Sequence, residues 1–259
     1  MLEELFAGSL ADSQRRQETL STHAVERVAL ENIPAIDALF ALAPSQQIKV
    51  LAEVKRASPS RGQLNEIADP ASLAKIYATS GASAISVLTE ERRFKGSLED
   101  LVAVRAAVDV PVLRKDFISN EYQILEARAA GADIVLLIVA GLAQKELVRL
   151  KRFIEELGMT AFVETHSETE VLRAIDLDTK LLGINARDLT TFETDRDLFG
   201  KLAHLVPVGV IKVAESAVRQ AQDVQHYRAA GADVVLVGEA LVINDPAEML
   251  QSFLNTDQT

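Results

Sequence analysis

The sequence predicts a single (β/α)₈ barrel preceded by an N-terminal helical extension. Short apolar runs alternate with helical stretches along most of the chain, and no region contains strands alone. A Gly-Ala pair, which ends a helix just before a buried-strand pattern, recurs at Gly81, Gly131 and Gly231. If one strand-plus-helix unit takes about 25 residues, these positions are two and four units apart. The copy expected near residue 181 is a strand start without the glycine.

The individual elements follow from these patterns in order. Residues 1–47 form the extension, packed on the barrel, because their apolar positions have helical spacing and precede the repeat; residues 48–259 form the barrel. Asp69 and Pro70 suit the N-cap and first turn of a helix. Helices are expected over 70–80, 120–130, 143–157 and 218–230. Strands are expected to begin near Ile48, Ala84, Val110, Ile134, Thr160, Leu181, Val210 and Val234.

The composition excludes several classes of protein. The chain has 259 residues, is 48% hydrophobic and lacks a low-complexity linker, which favours one domain. Its apolar runs are too short to span a bilayer, and its start lacks the features of a secretory signal. Without cysteine, disulfides and thiolate metal sites are excluded. We therefore expect a cytoplasmic protein, and the net charge of −11 argues against a nucleic-acid partner.

Polar residues follow the apolar runs at the downstream ends of five strands. Residues two apart in a strand share a face, so Glu53 and Lys55 should both point into the barrel. Active sites of this fold lie at the carboxyl ends of the strands. The alternative is a self-neutralising ion-pair network that fills the barrel mouth, but structural barrel layers consist mainly of branched apolar side chains. We therefore expect one site that contains Glu53, Lys55, Lys115, Glu164, Asn185, Arg187 and Glu215.

The same strand ends indicate an anionic ligand. The loops after the seventh and eighth strands, which contain Ser216 and Gly238, are the usual phosphate site of such barrels. Arg187 offers a planar fork for a carboxylate or phosphate, so a substrate with two anionic groups is expected. Lys115 and Lys55 are candidates for general acids or Schiff-base nucleophiles, and spacing alone leaves both roles open. The four histidines have no metal-ligand spacing, and the one at position 166 is interpreted as a loop residue.

Several segments at the strand ends are distinctive as a set. They are residues 52–62 (AEVKRASPSRG), 85–90 (ISVLTE), 113–118 (LRKDFI), 163–166 (VETH), 183–189 (GINARDL) and 214–216 (AES). Together they resemble indole-3-glycerol phosphate synthase, the barrel enzyme of tryptophan biosynthesis. The resemblance covers nearly the whole chain. It implies a substrate, carboxyphenylamino-deoxyribulose 5-phosphate, that is closed to an indole ring with loss of CO₂ and water. It also implies that no metal and no organic cofactor take part.

The resemblance further implies roles for individual residues. Lys115 resembles the general acid that polarises the ketone during ring closure, and Glu164 resembles the base or the carboxylate that stabilises developing positive charge. Glu53 and Lys55 match residues implicated in proton transfer during dehydration. The other positions match substrate contacts: Asn185 and Arg187 at the carboxylate, Phe94, Phe117 and Leu136 at the aromatic ring, and Ser58, Glu215, Ser216, Gly238 and Glu239 around the phosphate or the pocket floor.

Two features of the resemblance bear on the structure. The family usually has Gly after the Glu-Ser pair of the seventh strand, and this chain has Ala217. If the backbone there has a positive φ, Ala costs about 1 kcal/mol in strain. The resemblance also places the extension at the catalytic mouth, with a structural cap at the opposite mouth as the alternative.

Three rival functions stay open. Other phosphate-binding barrels of the same pathway are close alternatives, but an isomerase would not need the Glu53/Lys55 and Asn185/Arg187 pairs together. An aldolase would use Lys115 to form a Schiff base. A non-catalytic phosphate-binding or scaffold barrel would need no acid/base set. For the enzyme, we expect a small phosphorylated substrate and a monomer or weak homo-oligomer.

Overall fold

The fold is that of a closed barrel with an N-terminal extension, in a computed structural model that describes residues 1–59, 61–189, 191 and 193–258. Ser60, part of the motif at 52–62, lies outside these ranges. Within them, eight parallel strands close into a barrel and helices surround it. The predicted fold class is confirmed.

The barrel strands are short and almost completely buried. They are β1 (Lys49–Val54), β2 (Ala84–Leu88), β3 (Val112–Lys115), β4 (Ile134–Ile138), β5 (Thr160–Thr165), β6 (Leu181–Asn185), β7 (Ile211–Glu215) and β8 (Val234–Val237). All begin within two residues of the predicted starts. The largest difference is at β3, predicted to begin at Val110. Because Pro111 has no N–H to donate to the ladder, the strand begins after it.

Side chains cap the first turn of several helices. Asp69 accepts the Ser72 N–H at 3.0 Å, as predicted. The helix predicted over 218–230 begins later, because Ser216 and Ala217 have left-handed backbones and the chain turns before it becomes helical. In chain order the helices are α1 (Leu2–Thr19), α2 (Thr22–Glu31), α3 (Ala38–Ala41), α4 (Pro70–Thr79), α5 (Leu98–Ala107), α6 (Glu121–Ala129), α7 (Gln144–Glu156), α8 (Glu168–Ile175), α9 (Leu198–Leu202), α10 (Ala221–Ala229), α11 (Glu239–Ile243) and α12 (Pro246–Leu254). A short antiparallel hairpin pairs Ala57–Ser58 with Gly62–Gln63.

Alternate residues of each strand point to opposite sides of the sheet. The inner side chains Leu51, Leu113 and Phe162 belong to one buried apolar cluster inside the barrel. Outward-facing neighbours such as Val50 belong to a second, larger cluster between the strands and the helices. Toward the carboxyl ends, the inner positions change from apolar to polar, as from Leu51 to Glu53 on β1.

Helix α1 lies at the carboxyl ends of the strands. Leu5 lines the cavity there, and the Phe6 ring packs edge-on against Phe117 with centroids 5.5 Å apart. The Ser9 hydroxyl donates to the buried Asp116 carboxylate at 2.7 Å. These apolar and polar contacts hold α1 over the part of the barrel where polar side chains converge.

Helix α3 lies at the opposite end of the barrel. The Ile36 N–H donates to Asp133 Oδ1 at 2.7 Å, and Asp133 directly precedes β4. Ala38 and Leu42 are fully buried among the inner side chains. The extension therefore covers both ends of the barrel. The sequence had suggested that it would cover either the catalytic end or the opposite end.

Gly141, just after β4, leaves the space that the Phe6 ring occupies. A Cβ atom at this position would lie 1.9 Å from the ring, far below any real contact. The glycine and the phenylalanine therefore fit together where α1 meets the barrel.

We predict that Gly141→Ala loosens α1 and lowers stability. The added methyl would meet the Phe6 ring, and overpacking of this kind typically costs about 1–3 kcal/mol. For a chain of this size, each kcal/mol lowers the melting temperature by roughly 2–4 °C. Hydrogen–deuterium exchange should show that the lost protection is concentrated in α1.

A matched control is Gly200→Ala in α9, where a Cβ would make only an ordinary 3.5 Å contact. This variant should leave exchange in α1 unchanged. Adding Phe6→Leu to Gly141→Ala should recover part of the loss, since the two positions share one contact. Normal protection of α1 in Gly141→Ala would contradict the interpretation.

Candidate active site

The carboxyl ends of the strands surround a cavity of about 1180 Å³, including its open mouth. All fourteen residues singled out in the sequence line this cavity, from strand ends or from the segments that follow them. They are Glu53, Lys55, Ser58, Phe94, Lys115, Phe117, Leu136, Glu164, Asn185, Arg187, Glu215, Ser216, Gly238 and Glu239.

Lys115, at the end of β3, lies between two buried carboxylates. Its Nζ donates to Glu164 Oε2 on β5 and to Glu215 Oε2 on β7, both at 2.6 Å. Both carboxylate side chains are only 2% exposed, so water screens these charges very little. The three groups form one electrostatic unit.

The pKa values of the three groups are shifted in different directions. Burial opposes the charge on Lys115, but Glu164 and Glu215 outweigh it and raise the pKa of the lysine well above its usual range. Burial also opposes ionisation of Glu164, yet Lys115 and His166 outweigh it and lower the pKa of that carboxyl. Burial and the charge of Glu164 together raise the pKa of Glu215 to about 8. Glu164 therefore carries the negative charge, while Glu215 holds a proton through most of the neutral range.

Two inward-facing glycines make room for carboxylates. A Cβ at Gly183 on β6 would lie 2.2 Å from Glu215 Oε1, and a Cβ at Gly238 would lie 2.5 Å from Glu53 Oε2. Lys55 forms an ion pair with Glu53 at the end of β1 and would lie 3.0 Å from the same added atom at position 238. Any larger residue at either glycine would displace a carboxyl group of the site.

Asn185 connects the carboxylate of Glu164 to the loop after β7. Its Nδ2 donates to Glu164 Oε1 at 3.0 Å, and its Oδ1 accepts the Ser216 hydroxyl at 2.8 Å. The same oxygen accepts the backbone N–H of Arg187 at 3.0 Å. The amide nitrogen of Asn185 faces an acceptor and its oxygen faces two donors, so the orientation of the amide is fixed.

Guanidinium groups border one side of the cavity. Burial lowers the pKa of Arg187; Glu239 opposes this shift, whereas the charges of Arg61 and Arg219 add to it. Arg61 contacts Glu239 at 3.1 Å, at the start of α11. The positive potential of this side suits an anionic ligand group.

The loop after β7 has an unusual backbone. Ser216 and Ala217 have φ values of 68° and 59°, a left-handed conformation that costs a residue with a Cβ about 1–2 kcal/mol. The Ser216 hydroxyl bonds to Asn185, and its carbonyl accepts the Tyr227 hydroxyl at 3.2 Å. The positive φ suspected at Ala217 is present, and the contacts of Ser216 fix the backbone just before it.

The other side of the cavity is an apolar wall, formed by Phe94, Phe117 and Leu136. The centroids of the two phenylalanine rings are 6.2 Å apart. Leu5 from α1 extends this wall. An aromatic or aliphatic part of a ligand would lose contact with water here.

The sequence interpretation missed some residues that matter to the site. Arg219 and Leu5 line the cavity but do not belong to the strand-end pattern. His166 lies in the loop between β5 and α8, as interpreted, but the interpretation missed its contacts with the site. Its ring is buried between two carboxylates, with Nε2 at 3.2 Å from Glu164 Oε1 in an ion-pair contact that lacks hydrogen-bond alignment. Its place two residues after Glu164 was the available signal.

A closed parallel barrel with ionisable groups at the carboxyl ends of its strands defines the class of TIM-barrel enzymes. Within the described ranges, no set of three or more His, Asp or Glu side chains is grouped to hold a metal ion. In the same part of the chain, no helix is both long enough and apolar enough to cross a membrane.

Comparison with known sequences identifies the family. The sequence pattern of indole-3-glycerol phosphate synthase matches residues 2–253. The chain is 62% identical over 253 residues to the protein of that name from Leifsonia xyli subsp. xyli, covering 98% of this chain and 97% of the relative. A protein of the same name from Parafrankia sp. is 54% identical, with 96% and 93% covered. The chain belongs to the indole-3-glycerol phosphate synthase family.

Solved structures of other proteins share the fold. Thiamine phosphate pyrophosphorylase from Pyrococcus furiosus superposes with a TM-score of 0.61 at 14% identity, covering 82% of this chain and 96% of that protein. Orotidine 5'-phosphate decarboxylase from Pyrococcus horikoshii gives 0.62 at 12% identity, covering 81% and 99%. At these identities the similarity shows the barrel fold alone.

We predict that Glu215→Gln stabilises the protein more at high pH than at low pH. The amide oxygen still accepts from Lys115, but the side chain cannot ionise. The pKa of Glu215 is raised from 4.5 to about 8 on folding, so its contribution to stability is fully present below 4.5 and is lost as the pH rises toward 8. The variant's melting temperature relative to wild type should therefore rise by about 3 °C or more over this interval.

Glu146→Gln serves as the control, because this carboxylate is 39% exposed in a surface ion pair. Its effect on the melting temperature should not change over the same interval. A constant difference between Glu215→Gln and wild type at all pH values would show that the folded protein does not hold a proton on Glu215.

Proposed function

We propose that the protein closes 1-(2-carboxyphenylamino)-1-deoxy-D-ribulose 5-phosphate to an indole ring, with release of CO₂ and water. Family membership supports this reaction. The observation that carries it in the site is the Lys115 ammonium group, held between two carboxylates in a cavity with an apolar wall on one side and guanidinium groups on the other. No metal and no organic cofactor enter the proposed scheme.

The cavity lining suggests how the substrate binds. Its aromatic ring packs against the apolar wall, where burial is favourable. Its carboxylate is bound by Asn185 and Arg187, since a guanidinium fork matches a carboxylate. Its phosphate lies near Ser58, Ser216 and Gly238, at the loops that commonly bind phosphate in this fold. Two anionic ends held in place bring the ring and the ketone together between them.

Lys115 acts as the general acid in ring closure. A ring carbon attacks the ketone carbon, a C–C bond forms, and the ketone oxygen takes a proton from Lys115 to become a hydroxyl. Glu164 stabilises the positive charge that this attack leaves on the ring and its amine. The carboxylate on the attacking ring carbon then leaves as CO₂, and the electron pair of the broken C–C bond restores the aromatic ring.

Dehydration completes the indole. The hydroxyl leaves as water, and a proton leaves from the neighbouring carbon that is bound to nitrogen. Glu53 and Lys55 are proposed for these proton transfers because they form a pair at the rim of the same cavity. Such a pair can accept one proton and supply another without net change of charge.

The aldolase alternative is disfavoured by the surroundings of Lys115. A lysine must be neutral to attack a carbonyl and form a Schiff base. Glu164 and Glu215 stabilise the charged form instead. Borohydride treatment with a ketose phosphate should leave the chain unmodified, whereas a stable adduct on Lys115 would support an aldolase.

The proposal extends to cell compartment and assembly. It includes reaction in the cytoplasm and a monomer or weak homo-oligomer as the active form. The division into an extension at 1–47 and a catalytic barrel at 48–259 is also a proposal. The contribution of Leu5 to the cavity supports a part for the extension in substrate binding.

The direct test is incubation with the synthetic substrate while indole absorbance and fluorescence are followed. The chain contains no Trp and only 3 Tyr, so product fluorescence rises over a low protein background. Absence of indole at saturating substrate, with a correctly folded protein, would overturn the proposed function.

We predict that Lys115→Met removes most turnover and leaves KM within about tenfold, because a general acid serves the transition state more than the ground state. Steady-state kinetics measures both constants, and circular dichroism confirms the fold. The control is Lys180→Met, in an exposed ion pair with Asp178. Near-normal kcat in Lys115→Met would refute the general-acid role.

We also predict that Arg187→Ala raises KM and lowers kcat together. Both the bound substrate and the transition state lose a charge-assisted hydrogen bond. An inhibitor that lacks the ring carboxylate should bind the variant and the wild type about equally, whereas a carboxylated inhibitor should bind the variant at least about tenfold more weakly. Arg152→Ala, at a side chain that is 79% exposed, is the control. Equal losses for the two inhibitors would argue against carboxylate recognition.

A further inference from the structure

His166 lies between two carboxylates just beyond the end of β5. Its Nε2 is 3.2 Å from Glu164 Oε1, and its Nδ1 is 3.2 Å from Glu170 Oε2 on α8. The His166 side chain is 9% exposed, so the ring bridges an inner and an outer carboxylate with little access to water.

Glu170 holds His166 at two points. The same Oε2 that faces the ring also accepts the His166 backbone N–H at 2.9 Å. The other oxygen accepts the Ser167 hydroxyl at 3.2 Å, and the Ser167 hydroxyl in turn caps the Glu170 N–H. Both oxygens of Glu170 are therefore engaged at the start of α8, and the ring has a fixed orientation.

The ring geometry favours the imidazolium form. A neutral imidazole has one N–H and one bare nitrogen, so it could donate to only one of the two carboxylates. The charged ring has an N–H on each nitrogen, and each nitrogen lies 3.2 Å from a carboxylate oxygen. Burial opposes that charge, but Glu164 and Glu170 outweigh it and raise the pKa of His166 to about 10.

In the part of the chain that the structure describes, four groups face the Glu164 carboxylate from the elements packed around it. They are Lys115 from β3, Asn185 from β6, Glu215 from β7 and His166 from the end of β5. Two of these are cations, and only Lys115 is assigned a proton transfer in the proposed reaction.

We propose that His166, held by Glu170, is a positioning residue that keeps Glu164 ionised and aimed into the cavity during ring closure. The inference rests on the proposed function. When Lys115 gives its proton to the ketone oxygen, Glu164 loses the cation at its Oε2. The imidazolium at Oε1 takes no part in that transfer, so Glu164 stays charged and stabilises the positive charge developing on the substrate.

His166→Gln tests the proposal, because the amide has N–H donors at this position but carries no charge. We expect kcat to fall about tenfold or more, with KM within about threefold. The acidic limb of the kcat–pH profile should move to higher pH by about one unit, since the pKa of Glu164 rises when a neighbouring cation is lost.

Glu170→Gln should shift the limb in the same direction by a smaller amount. The double variant should shift it no further than His166→Gln alone, because Glu170 acts through the ring. His226→Gln is the matched control, since His226 Nε2 also lies 3.2 Å from a carboxylate, Asp197, but at the surface. It should leave the profile unchanged.

A measurement independent of activity decides the state of the ring. The NMR signals of the His166 ring, assigned by their loss in His166→Gln, should remain those of a doubly protonated ring well above the ordinary imidazole pKa of 6.5. Titration of the ring near 6.5 would overturn the inference even if indole forms. A His166→Gln protein with a lower melting temperature but an unchanged pH profile would also overturn it. Failure of the wild type to form indole would instead refute the proposed function.

Discussion

One buried ammonium group cannot neutralise two buried carboxylates, and the site is arranged around this shortage of positive charge. Glu164 and Glu215 share the Nζ of Lys115 at equal distances, yet their surroundings differ. Glu164 has a second cation, His166, and an amide donor, Asn185. Within the described ranges, the second oxygen of Glu215 has no hydrogen-bond partner, and this carboxyl retains a proton. Two chemically identical side chains thus become a fixed negative charge and a neutral acid.

The barrel geometry provides this arrangement. In a TIM barrel, each layer of inner side chains comes from alternate strands. Glu53, Lys115, Glu164 and Glu215 come from β1, β3, β5 and β7, and two residues earlier the same strands carry the apolar Leu51, Leu113, Phe162 and Val213. The charged layer therefore replaces one apolar layer at the top of the stack. Gly183 belongs to the neighbouring strand β6, and its missing side chain is the space that this layer needs.

The sequence predicted the parts of the molecule that depend on alternation along one strand. Alternation determines which side chains point inward, and the direction of a parallel barrel determines at which end they meet, so the strand starts and the seven polar residues at the strand ends could be predicted. The predictions for Ser58, Phe94, Phe117, Leu136 and Glu239 depended on the family resemblance. Contacts between separate strand-plus-helix units could not be predicted in this way. The pairing of His166 with Glu170 depends on where α8 packs. The need for glycine at position 183 comes from a carboxyl group on another strand, which occupies the space of the missing side chain. The four residues of α3 are too few to show a helical period.

The extension that covers both ends of the barrel has a consequence for the order of folding. Ser9 bonds to a residue 107 positions further along the chain, and Leu42 is buried in an interior that exists only after β8 pairs with β1. Contacts so distant in sequence form late, because the intervening chain must first be ordered. The extension precedes the barrel along the chain, and we therefore expect it to reach its final position only after the barrel strands have paired. Until β8 has been synthesised, the apolar face of the nascent extension is exposed to solvent or is bound by a chaperone.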